Sequence, residues 1–457
     1  MMLARSTLFA ALALASSTAL APAAFAQDNW TVQERWVRAH EAFLASETLQ
    51  GRGSATRDEA IAAAYVASQF EGYGLSHAPG MDSYFQKATI VRPHATGPAQ
   101  LSINGKAIAT APTVLSAPGT HVAGKMAVAK SADPTALPQA DVVLVGAADA
   151  EPMALYRAAM QNKVKLLILR ESEASRDLYS KMGGAPRLPA YLEGEAPRAR
   201  TAIATLPGTA FDALAKQRSA TVELSLPSKE DKAITTNAIG YLVGSDPGAG
   251  TLLFTAHLDH LGVQPDGTVM YGANDDASGT TAVLEIARAL ASGKQPKRSI
   301  LFVCYGSEEI GLYGSKYFAE HPPVPLDQII ANIEFEMIGA QDPKLPKDTL
   351  MMTGYERSNL GETIKAHGGL VAADPYPEQN FFQRSDNYSL ALKGIVAHTF
   401  SGWAVTPTYH DRSDTFENID FDFMTKAIQS LIEPMRWLAD GDFKPEWKPG
   451  GQPKAGE

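Results

Sequence analysis

Apolar positions recur along this chain with more than one period, and the changes of period divide it. Residues 27–93 read as helical, with helices expected over 32–47 and 57–71. In the second, Ala63, Val66, Ala67 and Phe70 fall on one helical stripe. Ile61, Ala64 and Tyr65 make another side apolar, which marks a well-buried helix. Gly51-Arg52-Gly53-Ser54 precedes it, and Gly72-Tyr73-Gly74-Leu75 closes it with C-cap glycines.

Residues 94–228 change character. Short β-like runs at 141–146 and 164–169 are joined by a helical segment at 153–162, without clustered histidines and acids. From 235 to 441 strand and helix alternate: 250–256, 277–292, 299–305, 312–320 and 329–337. That alternation predicts an α/β fold with a twisted, largely parallel central sheet flanked by helices, and residues 94–228 read as a separate, smaller α/β or β-rich domain. Helix 277–292 carries Val283, Ile286, Ala287 and Leu290 on its apolar stripe. Residues 443–457, rich in Pro, Gly and Lys, read as a disordered end.

Composition removes some function classes. A hydrophobic fraction of 45% and a charged fraction of 20% are ordinary for a globular chain. The formal net charge of −10 and pI near 5.5 argue against nucleic-acid partners, which demand a basic surface. Arg5, the apolar run 8–15 and Ala24-Phe25-Ala26 before Gln27 read as a signal peptide over 1–26. They predict an exported protein, periplasmic or secreted, with no stable membrane association after cleavage. Cys304, the single cysteine, lies in a β-rich run and reads as a buried core thiol.

The chemistry-bearing residues lie in the last stretch. His257, Asp275, Glu309, Glu336 and His410 stand in the local contexts His257-Leu258-Asp259, Gly272-Ala273-Asn274-Asp275-Asp276, Glu308-Glu309-Ile310-Gly311-Leu312, Phe335-Glu336-Met337-Ile338-Gly339 and Tyr409-His410-Asp411. Two imidazoles and three carboxylates suit a pair of zinc ions if one carboxylate bridges, and mixed N/O ligation marks catalytic rather than structural zinc. His257, Glu309 and Glu336 fall at or just beyond the ends of expected strands, the edge where open α/β sheets bind ligands. His260, His321 and His398 have no ligand-like setting and are assigned to packing or surface.

The order and wording of these motifs resemble the di-zinc exopeptidase family that includes bacterial leucyl aminopeptidases and glutamate carboxypeptidases, metallopeptidase family 28. The Gly-Arg-Gly, helix, Gly-Leu text resembles the N-terminal part of that family's peptidase domain, and residues 94–228 are similar to a protease-associated insert. The resemblance implies that Asp275 bridges two Zn2+ ions, with Co2+ or Mn2+ as possible substitutes. Glu309 and His410 would complete one ion's protein ligands, and His257 and Glu336 the other's. Glu308 would be the general base that takes the proton of the attacking water. Asp259 would accept the other N–H of His257 and fix its tautomer, and Asp276 would support the loop.

There are two departures: Glu336 stands where many members carry Asp, a longer ligand that is still a carboxylate, and Ser385-Asp386-Asn387 stands where relatives read Ser-Asp-His, which touches the substrate side more than the metals. Arg384, Asp386 and Tyr409 are the candidate substrate contacts. Aminopeptidase action on peptides is the expected activity. A glutamate-type carboxypeptidase, gripping a terminal carboxylate with Arg384 and Arg412, is the runner-up, although local pairing with Asp386 or Asp414 accounts for both arginines more simply. A non-catalytic receptor-like module is disfavoured, because all five ligand positions and Glu308 bear competent groups.

Overall fold

The computed structural model describes residues 30–147, 150–197, 200–217 and 219–454; the signal-peptide expectation lies outside them. Two sheets organise the chain. The larger has nine strands. At its centre Ala397–Ser401, Ile329–Phe335, Thr251–His257 and Ser299–Tyr305 run parallel in that spatial order. Ser228–Leu242 and Phe85–Ala95 extend it antiparallel on one side, and Leu350–Met352 starts an antiparallel flank on the other.

Alternation along the central strands feeds two cores. Leu252, Phe254 and Ala256, with Ile300, Phe302 and Cys304, face one side, where Glu34–Leu44, Arg57–Gly72, Ser278–Ala291 and Phe421–Asp440 cover them. Leu253, Leu301, Val303 and Tyr305 face the other, under Tyr313–Glu320 and Asn387–Ala391. Strands buried on both faces read as continuous apolar runs, as these do. Burial of the Cys304 thiol pushes its pKa well up, in keeping with an inert core residue.

The long antiparallel pair Phe85–Ala95 and Ser228–Leu242 leads out of this sheet and back. Between its strands lies an eight-stranded sheet. Its parallel centre (His121–Val128, Val142–Val145, Leu166–Arg170, Ala202–Leu206) has Pro152–Gln161 on one face and Gly208–Ala215 on the other. These elements lie within residues 94–228.

The C-terminal segment corrects the expectation of a disordered end as far as residue 454. Trp447 pairs with Ser358 and donates its indole N–H to the Gly394 carbonyl at 3.0 Å, and Phe443 packs against the core. Two aromatic anchors outweigh the Pro/Gly/Lys composition that suggested disorder.

Candidate metal centre

The sheet topology brings the five candidate ligands to one edge. His257 is the last residue of its strand, Glu336 directly follows Phe335, and Glu309 lies in the turn after Tyr305. Asp275 sits in the irregular turn Ala273–Ala277 that opens helix Ser278–Ala291, and His410 lies in the loop after Ala397–Ser401. Asp275 is central. Its Oδ1 is 3.3 Å from His257 Nε2 and its Oδ2 is 3.2 Å from His410 Nε2. The two carboxylate oxygens thus face two different imidazoles. His410 Nε2 also lies 3.2 Å from Glu309 Oε2. Ligand atoms of His257, Asp275 and Glu336 lie within 4.8 Å of one another.

The donor set fits metal ions on its own geometry. His257 Nε2, Glu309 Oε1 and both ring nitrogens of His260 are buried without a hydrogen-bond partner among the described residues. So many orphaned polar atoms in one place are costly unless a further group satisfies them. Burial and the neighbouring carboxylates Glu309 and Glu336 hold the Glu308 carboxyl well above its usual range, against the opposing pull of His257. Asp275 is held low despite its burial, because His257 and His410 contact it directly.

Much of the scaffold is built from residues other than the five candidate ligands. Asp414 accepts the main-chain N–H groups of Asn274 and Asp275 at 2.8 and 3.0 Å, which fixes the Asp275 turn. Asp276 accepts from the amides of Gly279 and Met337, as its expected loop-supporting role requires. Arg52 is fully buried and donates to the carbonyls of Leu44, Leu258, Tyr271 and Gly272. Glu59 accepts from Ala55, Thr236 and Ser307 amides, joining the N-terminal helix to the turn before Glu308.

Three expectations need correction. His257 Nδ1 meets the main-chain carbonyl of Asp259 at 3.2 Å, and the Asp259 carboxylate only at 3.8 Å. That carboxylate instead accepts the Ser54 hydroxyl at 2.5 Å and the Glu308 amide at 3.0 Å. His260, assigned to packing or surface, is buried with Nδ1 2.8 Å from Glu309 Oε1. Its place directly after His257-Leu258-Asp259 was the available signal. The expected arginine pairs are absent among the described residues, since Asp386 is buried with neither oxygen hydrogen-bonded and Asp414 is taken by the amides above.

A cleft opens beside the ligands. Met337, Met351, Phe381 and Ala404 give it an apolar wall, with Thr353, Ser385 and Ser401 among its polar members. Ser385 rather than the buried Asp386 reaches this wall. Exposed Arg384 lies over the Phe381 ring at 4.9 Å, and Tyr409 stacks on His410 at 3.9 Å. Arg412 is exposed and does not line the cleft.

Comparison with known proteins gives consistent relatives. Residues 237–434 match the description of peptidase family M28. Leupeptin-inactivating enzyme 1 of Streptomyces exfoliatus is 38% identical over 209 residues, covering 40% of this chain and 44% of the relative. Aminopeptidase YwaD of Bacillus subtilis is 26% identical over 224 residues, covering 47% of each. These matches thus span less than half the length of either relative. Among solved structures, the aminopeptidase from Aneurinibacillus sp. strain AM-1 aligns with TM-score 0.57 and 18% identity over 90% of this chain and 94% of its own. The zinc aminopeptidase BSAP from Bacillus subtilis aligns with TM-score 0.56 and 20% identity over 90% and 97%. At that identity the likeness is one of fold.

Proposed function

We propose, from the match of residues 237–434 to peptidase family M28, that the protein is a di-zinc aminopeptidase acting on the N-termini of peptides. The observation that carries the reading is Asp275, whose two oxygens face His257 and His410 at 3.3 and 3.2 Å. In this reading Asp275, Glu309 and His410 would hold one ion, and Asp275, His257 and Glu336 the other. Bound ions lower the pKa of the attacking water and polarise the scissile carbonyl; Co2+ or Mn2+ could replace zinc in such a donor set.

Glu308 takes the water's proton and returns it to the leaving amine. Its place on the cleft wall beside Glu309 supports that role. The carboxylates attract a free α-amine, and the wall of Met337, Met351, Phe381 and Ala404 suits an apolar side chain. The α/β unit within residues 94–228, read as a protease-associated insert, is accessory in this reading. Arg5, the apolar run 8–15 and Ala24-Phe25-Ala26 support export in this reading; among the described residues no helix is long and apolar enough to cross a membrane.

One observation favours a second reading. Arg384 stands at the cleft without an acidic partner among the described residues, a placement that also suits a substrate's terminal carboxylate and a carboxypeptidase. Hydrolysis of leucyl-p-nitroanilide and of its N-acetylated form, with and without chelator, separates the two. Chelator-sensitive cleavage of only the free-amine compound supports the aminopeptidase. Silence on both by a zinc-loaded protein overturns it in favour of C-terminal glutamate substrates.

A further inference from the structure

Building on the di-metal reading, we propose that His260 is an additional metal ligand, acting through Nδ1 at the ion that Asp275, Glu309 and His410 would hold. The imidazole is fully buried, with Nδ1 2.8 Å from Glu309 Oε1 and 3.8 Å from Asp275 Oδ2. Its contact with Glu309 is close but lacks hydrogen-bond alignment. Neither His260 Nδ1 nor Glu309 Oε1 has a hydrogen-bond partner among the described residues. A nitrogen ringed by carboxylate oxygens without bonding to them is placed as a ligand is.

The spacings agree. An ion bound at about 2.0–2.2 Å sets tetrahedral ligands roughly 3.3–3.6 Å apart, and wider coordination spreads that range. The His260 separations of 2.8 and 3.8 Å straddle it, and the His410 separations are 3.2 Å to both carboxylates. His260, Asp275 and Glu309 therefore form a compact triad with His410 at its side, the two rings meeting edge to face at 5.7 Å.

The local fold fixes this ring. The His260 main-chain N–H donates to the Arg52 carbonyl at 3.1 Å. Gly272, at φ +63°, passes so close that a Cβ there would lie 2.4 Å from the imidazole Cγ. A side chain at 272 and the observed His260 rotamer exclude each other, so the glycine serves the histidine's placement as well as the turn.

The consequence is an unequal pair of sites. One ion would have two imidazoles with Asp275 and Glu309, the other His257 alone among imidazoles with Asp275 and Glu336. The imidazole-rich site favours zinc more strongly over harder cations and fills first.

The test is metal binding rather than turnover. The full chain would be freed of metal and titrated with Co2+ under chelator competition, and its visible absorption recorded, for the wild type, His260→Gln and His260→Ala. Wild type should bind two Co2+. In both variants one site should weaken by more than the roughly 10–100-fold that loss of a merely supporting contact costs, and the band of the first-filled ion should change. Glutamine keeps an N–H donor for Glu309. Wild-type affinity and spectrum in His260→Gln, with loss only in His260→Ala, would therefore overturn ligation and leave His260 as a positioning residue. A wild type that binds no divalent ion would sink the di-metal reading itself. X-ray absorption of the zinc-loaded wild type decides the matter even if the variants misfold: three imidazoles per two ions are expected, and two would refute the inference.

Discussion

Asp259 accepts the main-chain N–H of Glu308 on its carboxylate at 3.0 Å, while its own main-chain carbonyl meets His257 Nδ1 at 3.2 Å. One residue thereby sets both the tautomer of a candidate ligand and the position of the candidate base. Asp259→Asn keeps the main-chain contact and weakens the carboxylate one. Turnover should fall about 10–100-fold, the usual cost of a lost supporting contact, with KM and metal content little changed. A variant with raised KM and unchanged kcat would mean that Asp259 acts on substrate binding instead.

Glu308→Gln separates catalysis from folding. Removing a positioned base should cost roughly 10²–10⁴ in kcat. The same change relieves a buried carboxyl crowded by Glu309 and Glu336, so the metal-free variant should melt no lower than wild type. Metal analysis and calorimetry on one preparation check both halves, and loss of bound zinc would count against the base assignment.

Arg52 tests how far the metal edge depends on the N-terminal segment. Its guanidinium contacts four carbonyls, those of Leu44, Leu258, Tyr271 and Gly272, at 2.6 to 2.8 Å. The last three flank the His257 and Asp275 turns. A lysine ammonium cannot span that arc, and each orphaned buried carbonyl costs about 1–3 kcal/mol. Arg52→Lys should destabilise by on the order of 3 kcal/mol in urea at constant m, and weaken metal binding. A loss below about 1 kcal/mol would show that water replaces the guanidinium.

The sequence made the ligand-bearing edge legible because the strands expected at 250–256, 299–305 and 329–337 each lead to an acid or imidazole, His257, Glu309 and Glu336. The strand expected over 250–256 proves to be Thr251–His257, and helix 277–292 proves to be Ser278–Ala291. What stayed hidden depends on contacts between distant segments. Asp414 reaches back to the amides of Asn274 and Asp275, and Glu59 reaches across to Ser307. Neither acid has a local pattern distinguishing it from a solvated surface group. His260 was hidden differently: its aim at Glu309 depends on the Gly272 turn, which no spacing rule reports.

His398 provides a pH signature independent of the metals. It is fully buried in the strand Ala397–Ser401; Nδ1 donates to the Thr353 carbonyl at 2.8 Å, and Nε2 accepts from the Ser358 hydroxyl at 2.7 Å. Burial, helped by the Arg357 charge and opposed by the Thr353 bond, lowers its pKa to about 4. The unfolded chain, with a histidine pKa near 6.5, therefore binds more protons between those values. The stability from this depressed pKa is fully present above pH 6.5 and drains away as pH falls toward 4, at about 1.4 kcal/mol per unit and ~3 kcal/mol in all. His398→Gln keeps a donor and an acceptor but cannot titrate. Urea unfolding of both proteins, metal-free, at pH 7.5, 5.5 and 4.5 isolates the effect from the carboxylates common to both. The wild type should lose ground to the variant on acidification, and parallel pH curves would mean that His398 is not held neutral by the fold.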